Sequence, residues 1–251
     1  MVIIKTAEQL KYMKLAGEIT GGALLKARDA VREGISTYEL DKIIREYIEG
    51  HHAKPSFLGY GGFPASACIS VNEQVIHGIP SKKRILVEGD VVKIDVGAYI
   101  HGYHGDSART FGVGKISDEA RRLIRVTEEC FRLGAAKALP QNRVGDIGST
   151  IQSHAESMGY GVVRQYVGHG VGTNLHEEPD VPNYGTPGRG CRLYSGMTIA
   201  IEPMINLGTK DVKVLPDGWT VVTADGKISA HYEHTVAITP NGPILLTDLG
   251  E

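Results

Sequence analysis

Val91-Val-Lys-Ile-Asp95-Val-Gly-Ala-Tyr-Ile-His101-Gly-Tyr-His-Gly-Asp106-Ser-Ala-Arg-Thr-Phe111 is the stretch on which the reading of this chain turns. Val92, Ile94 and Val96 alternate with Lys93, Asp95 and Gly97, the period of two that marks a half-buried strand. His101-Gly102 is a turn signal, and the chain returns through Tyr103 to Phe111, so a β-hairpin is predicted. Asp95 lies on the face opposite the apolar side chains, Asp106 lies on the returning arm, and the turn falls beside the midpoint between them. The hairpin therefore brings two carboxylates together on adjacent strands. Like charges that close repel unless a proton or a metal ion lies between them. In the bland alternative the strands are offset, and each aspartate pairs with a nearby lysine or arginine.

Upstream, Thr6-x-x-Gln9 reads as a capping box, and Leu10, Met13, Ala16, Ala23, Leu24, Ala27 and Val31 keep a helical stripe until Gly34. Ser36-x-x-Glu39 starts a second helix carrying Leu40, Ile43, Ile44, Tyr47 and Ile48, with Gly50 as its stop. Downstream, helical patterns run from Ser117 to Leu139 and from Val144 to Met158. Short strands are then expected at Val162–Val167, Thr198–Ile201, Thr220–Thr223 and Lys227–Thr239, with Asp225-Gly226 as a tight turn before the last. Helices, strands, helices, strands is the order of an α/β or α+β fold, with two similar halves. No Pro-, Ser- or charge-rich linker divides it, so residues 1–251 are expected to form one domain.

Composition removes several classes of function. The 251 residues hold 41% hydrophobic and 22% charged side chains, ordinary values for a soluble globular protein with a sizeable core. A net charge of −2 carries no footprint for nucleic-acid readout or an anionic membrane. The longest charge-free stretch, Pro55 to Asn72, is too broken by Gly, Pro and Ser to span a bilayer. The chain opens directly into a helical pattern, so no signal peptide is expected. Three scattered cysteines, Cys68, Cys130 and Cys191, fit reduced thiols in the cytoplasm rather than a cysteine zinc site. The unusual entries are 32 glycines and ten histidines, and they tend to coincide, as at His77-Gly78 and Gly168-His169-Gly170.

Chemistry-bearing residues cluster in strand contexts. His169 stands among small neighbours that let a ligand approach closely, and His176 follows in Leu-His-Glu-Glu-Pro. Glu202 ends the apolar run Met-Thr-Ile-Ala-Ile ahead of Pro203, a poorly solvated place for a carboxylate, and Glu233 lies in another strand pattern. Each alone reads most simply as an exposed or structural residue. Together, Asp95, Asp106, His169, Glu202 and Glu233 make an oxygen-rich set with one imidazole, suited to Mn(II), Fe(II), Co(II) or Zn(II). More carboxylates than one ion needs points to two metals bridged by Asp and Glu. No G-x-S-x-G and no P-loop pattern competes.

At these residues the chain resembles the type I methionine aminopeptidases over nearly its full length. The segments that carry the resemblance are Cys68-Ile-Ser-Val-Asn-Glu-Gln-Val-Ile-His-Gly-Ile-Pro80, Ile94-Asp-Val-Gly97, Tyr103-His-Gly-Asp106, Gly168-His-Gly170, His176-Glu-Glu-Pro179, Ile201-Glu-Pro-Met204 and Tyr232-Glu-His-Thr235. With no zinc-finger extension and no long insertion, it is similar to the short bacterial form. The resemblance implies the pita-bread fold, two pseudo-symmetric α/β halves around a dinuclear centre. It makes Asp95, Asp106, His169, Glu202 and Glu233 the ligands of two divalent ions, and His77 and His176 the histidines that contact substrate.

Glu202 is the expected general base in a two-metal hydroxide mechanism. Tyr60, Phe63, Cys68 and Trp219 fall where the family lines its methionine pocket, and Asn72, Gln74 and Ser229 match a monovalent-cation site of some members. The implied activity is removal of the initiator methionine from nascent chains with a small second residue. A cytoplasmic monomer in transient contact with the ribosome is expected, with no membrane partner. The alternatives are an aminopeptidase P or prolidase cutting Xaa-Pro bonds, and an inactive binding protein on the same fold. Ile76, Leu175 and His231 depart from residues common in the family. The first two are expected to retune the pocket.

Overall fold

The structure, a computed structural model, describes residues 1–250. The first half comprises α1 (Ala7–Ala30), α2 (Thr37–Gly50), β1 (Lys54–Pro55), β2 (Ala67–Val71), β3 (Gln74–Ile76), β4 (Val91–Ile100) and β5 (Tyr103–Gly112). The second comprises α3 (Asp118–Ala135), α4 (Val144–Ser157), β6 (Gly161–Val162), β7 (Gly168–Gly170), β8 (Glu177–Val181) and β9 (Thr198–Ile201). It continues with β10 (Met204–Asn206), β11 (Val212–Val214), β12 (Val221–Thr223), β13 (Ser229–His231), β14 (His234–Thr239) and β15 (Gly242–Leu245). Both N-terminal helices begin at the capping boxes read from the sequence, with Thr6 and Ser36 as N-caps. The first helix ends at Ala30, four residues before Gly34, because Val31 turns to an extended conformation.

In the first half β4 is the spine. It pairs along one edge with β1 and β2 and along the other with β5, all antiparallel. Helices α1 and α2 cover one face, where Leu24, Leu40, Ile44 and Ile48 pack on Val92, Ile94 and Val96. The second half repeats the scheme with the sheet β15-β14-β9-β7-β8, and α3 and α4 lay Phe131, Ile147 and Ile151 into a core with Ile199, Ile201 and Val236. Two smaller sheets, β13-β10-β6 and β11-β12-β3, complete the fold.

The hairpin of β4 and β5 forms as predicted, with His101 and Gly102 both at positive φ (51° and 88°), the requirement of a type I′ turn. One expectation needs correction. The alternation predicts a half-buried β4, yet its polar face is closed in as well: Lys93 is 1% exposed and Asp95 only partly accessible, because that face looks into the second half. Two predicted strands also break. Val162–Val167 is only the two-residue β6 followed by a loop, since the chain must leave one sheet for another before β7. Lys227–Thr239 is split at Tyr232-Glu233, where the chain passes from β13's sheet to that of β14.

At that break the halves are joined. Glu233 N–H donates to the Ala108 carbonyl of β5 at 2.8 Å and receives a bond from Ala108 N–H at 3.3 Å. On one side Thr110 Oγ1 donates to His231 O, and on the other Asp106 N–H donates to Thr235 Oγ1. Helix α1 closes over the hairpin through a glycine pair, for a Cβ on Gly105 would lie 2.9 Å from Gly17 Cα.

The N-terminal segment ties the far side of the fold together. Lys5 N–H donates to Gly196 O, and its ammonium reaches Glu177 Oε2 at 2.5 Å, with both side chains 3% exposed. Burial acts to raise the Glu177 carboxyl. The bonds it accepts from Lys5, Asn174 N–H and Thr173 Oγ1 nevertheless hold it below the usual carboxylate range. Lys5→Met should cost about 3 kcal/mol at neutral pH, since it strands one partner of a buried pair. A carboxyl lowered in the folded state contributes above its unfolded pKa and loses that contribution as pH falls through the folded value. Denaturant titrations of both proteins should therefore converge in strongly acidic buffer; a gap independent of pH would refute the role of this pair.

Candidate metal centre

Register places the expected ligands. Asp95 sits opposite Ala108 and Asp106 opposite Gly97, so the two aspartates are diagonal neighbours on one face of the hairpin. Neither forms a salt bridge to a lysine or arginine among the described residues, so the offset-and-paired alternative does not hold for them. Glu233 arrives from the seam beside Ala108. Glu202 follows the last residue of β9, with its carbonyl held by Asn183 Nδ2 at 3.0 Å. His169 is the middle residue of β7, flanked by glycines whose own Cβ atoms would strike the carbonyls of Ala200 and Glu178. That close approach is what the small neighbours of His169 provide.

The five side chains line one cavity of about 280 Å³. Within it, ligand atoms of Asp106, His169 and Glu233 lie within 4.8 Å of one another. His169 Nε2 stands 3.7 Å from Asp106 Oδ2 and 3.5 Å from Glu202 Oε1. Its Nδ1 lies 2.9 Å from Gly170 O, and a carbonyl only accepts, so the ring proton is on Nδ1 and Nε2 presents a lone pair. A lone pair faces carboxylates here, acceptor against acceptor.

Burial drives all four carboxyl groups upward. Asp106 is raised further by Asp95 and Glu202, Glu202 by Asp95, and Glu233 by Asp106, Glu202 and Asp95. Burial also pushes His169 down to about 3, so it is neutral. Asp95 Oδ1, Asp106 Oδ1 and Glu233 Oε1 are buried without a hydrogen-bond partner among the described residues. Orphaned carboxylate oxygens around a neutral imidazole fit divalent cations, which would supply the missing positive charge.

The same cavity has an apolar wall. Phe63, Cys68 and Trp219 stand in it, and Phe63 meets Trp219 edge-on at 5.2 Å. Phe57 and Leu175 complete that wall, and Ile76 lines the cavity too. Leu175 and Ile76, two residues that depart from those common in the family, thus both border the cavity, whereas nothing in the sequence singled out Phe57. Burial, with the charge of His176 second, pushes His77 down to about 4. His77 adopts φ 58°, a left-handed conformation rare outside glycine, and the following Gly78 packs on the Ile69 carbonyl. His176 stands at the mouth with its ring 4.0 Å from that of His169, and its pKa is lowered by desolvation. Tyr60 also lines the cavity, at its rim, where its hydroxyl lies 2.7 Å from His176 Nδ1.

Asn72, Gln74 and Ser229 lie outside this cavity, and their side chains are engaged within the fold. Asn72 Nδ2 donates to Asp90, Gln74 Oε1 accepts from Val71 N–H, and Ser229 Oγ donates to Asn206 Oδ1. The Asn72 carbonyl receives the ammonium of Lys93 at 2.7 Å. His231, left without a role by the sequence, is 1% exposed, with Nε2 3.7 Å from Glu202 Oε2 and both ring nitrogens unpartnered among the described residues.

Comparison with known proteins agrees with this architecture. Metallopeptidase family M24 matches residues 11–240. A methionine aminopeptidase of Clostridium acetobutylicum is 55% identical over 247 residues, covering 98% of this chain and 99% of the relative. The crystal structure of a methionine aminopeptidase from Thermotoga maritima superposes with a TM-score of 0.97 at 45% identity, covering 99% of this chain and 100% of that one. A prolidase from Pyrococcus horikoshii shares the fold more distantly, with a TM-score of 0.81 at 27% identity, covering 99% of this chain and 64% of that one. With a two-halved α/β frame closing on a carboxylate-rich cavity, and with relatives this similar along the whole chain, the protein belongs to metallopeptidase family M24, on the pita-bread fold and within its bacterial-type methionine aminopeptidases.

Proposed function

We propose that this chain removes the initiator methionine from nascent peptides whose second residue is small and uncharged, and that residues 1–251 act as one catalytic domain. The observation that carries the reading is a single cavity with an apolar, aromatic-edged wall on one side and the carboxylate set on the other. An unbranched thioether suits such a wall. Asp95, Asp106, His169, Glu202 and Glu233 would hold two divalent ions, drawn from Mn(II), Fe(II), Co(II) and Zn(II) according to availability. When bound, these ions make water nucleophilic at neutral pH and polarise a carbonyl.

The remaining work falls to the chain's own side chains. Phe63, Cys68 and Trp219, with Phe57 and Leu175, take the methionine side chain and bring the first peptide bond to the foot of the wall. Glu202 accepts the proton of the attacking water and passes it to the departing amine, a task for a carboxylate placed beside the nucleophile. His176, at the mouth, donates to the carbonyl under attack, and His77 orients the scissile amide. Among the described residues no helix is long and apolar enough to cross a membrane. The proposal places the protein in the cytoplasm as a monomer meeting its substrates at the ribosome.

Glu202→Gln should keep the fold, read by circular dichroism and melting temperature, and lower turnover at least a hundredfold, the lower end of the range for a lost general acid–base group. Turnover within a few-fold of the parent would refute the assignment. Metal-stripped protein should regain cleavage of Met-Ala-Ser, and none of Xaa-Pro peptides, when Mn(II), Fe(II) or Co(II) is restored. Cleavage confined to the proline substrates would favour the prolidase-like reading, and inactivity with every metal a binding protein.

A further inference from the structure

We propose that the ammonium of Lys93 takes the place of a monovalent cation at the turn formed by Asn72, so that this chain binds no sodium or potassium ion there. The inference goes beyond the functional reading and does not depend on it.

Resemblance to the family leads to the expectation of such an ion at Asn72, Gln74 and Ser229. A hard cation needs several oxygen atoms with lone pairs to spare. At this turn they are engaged. A backbone carbonyl has two lone pairs, and that of Asn72 accepts Ser229 N–H of β13 at 3.1 Å and the Lys93 ammonium at 2.7 Å. Asn72 Oδ1 accepts Val91 N–H at 2.9 Å, and Gln74 Oε1 accepts Val71 N–H at 2.8 Å. The Ser229 hydroxyl is engaged with Asn206 Oδ1 at 2.8 Å.

One side chain delivers the positive charge. Lys93 is 1% exposed and stands opposite Ser70 on β2, from where it reaches the turn at the end of that strand. Asn72 adopts φ 54° and is fastened by its own N–H to Val91 O at 2.8 Å. The carboxylates of Glu73 and Asp90 favour the charged form of Lys93 against burial, while Arg84, paired with Asp90 Oδ2 at 3.0 Å, acts the other way.

The charge sits where both halves of the molecule meet. Asn72 O receives β4 through Lys93 and β13 through Ser229, and the next carbonyl, that of Glu73, accepts Thr223 N–H of β12 at 2.9 Å. From this turn β3 leads into His77 at the edge of the cavity. A free ion at such a joint would come and go with the salt around it. A lysine is supplied by the chain itself, so the joint holds at any sodium or potassium concentration.

Melting temperatures of the Mn(II)-loaded protein in sodium, potassium and choline chloride of equal ionic strength test this, in mildly acidic buffer where the lysine is charged. The parent protein should melt at the same temperature in all three. Lys93→Ala removes the ammonium and leaves room for an ion. It should melt about 4 °C higher in sodium or potassium than in choline, the gain rising with the logarithm of ion concentration as for ligand binding. Lys93→Met keeps the stem without the charge and should show no such gain. Parent protein stabilised by sodium or potassium over choline would overturn the proposal, for it would then hold an ion of its own. So would a Lys93→Ala protein that gains nothing or folds in none of the salts, and so would an equal gain in Lys93→Met.

Discussion

Four carboxyl groups enclosed together with one neutral imidazole, and among the described residues no basic side chain in ion-pair contact with them except histidines, is the arrangement around which this molecule is organised. Removing one carboxylate from water is costly, and mutual repulsion adds to the cost of gathering several. A fold tolerates such a cluster only if its backbone is held firmly enough to prevent the groups from separating. The sheet framework meets that need. The aspartates share a hairpin whose register leaves no freedom of placement, and Glu233 is bonded through its backbone to the same hairpin. His169 is gripped between glycines packed on neighbouring carbonyls.

Holding the cluster also decides how the halves meet. Each half has its own core of helices on a sheet, and β5 contacts the Tyr232-Glu233 passage through bonds to His231, Glu233 and Thr235. The polar face of β4 is therefore interior, and Lys93 must satisfy its ammonium on the Asn72 carbonyl, with burial pushing its pKa down to about 7. The buried Lys5–Glu177 pair fastens the loop that ends in His176 from outside, and Tyr60 reaches the ring itself from the opposite wall.

Much of this was legible in the chain, for identifiable reasons. Thr6 and Ser36 announced their helices because a cap is a local device, with donor and acceptor three residues apart. The hairpin was legible because His101-Gly102 sits between two alternating runs. What escaped depended on what lies across space. Alternation in β4 revealed two chemically different faces but could not disclose that the polar one is covered by the other half. The passage through Tyr232-Glu233 keeps a strand-like pattern while changing sheets, because extended backbone is needed on both sides of the break. Phe57 joins the pocket wall through loop geometry, which period and propensity do not encode. The candidate ligands are legible only as a set, since each taken alone favours a plainer explanation.

The seam at Glu233 has a mechanical side. The acidic cluster draws on residues from Asp95 to Glu233, so cations lodged there would act as a cross-link between distant parts of the chain. Like any cross-link, they would lower the entropy of the opened molecule more than that of the closed one, and more so for the long loops they span. Occupancy of the centre and cohesion of the two halves would then be the same equilibrium seen from two ends: a protein stripped of its ions would be a looser clasp as well as an idle one.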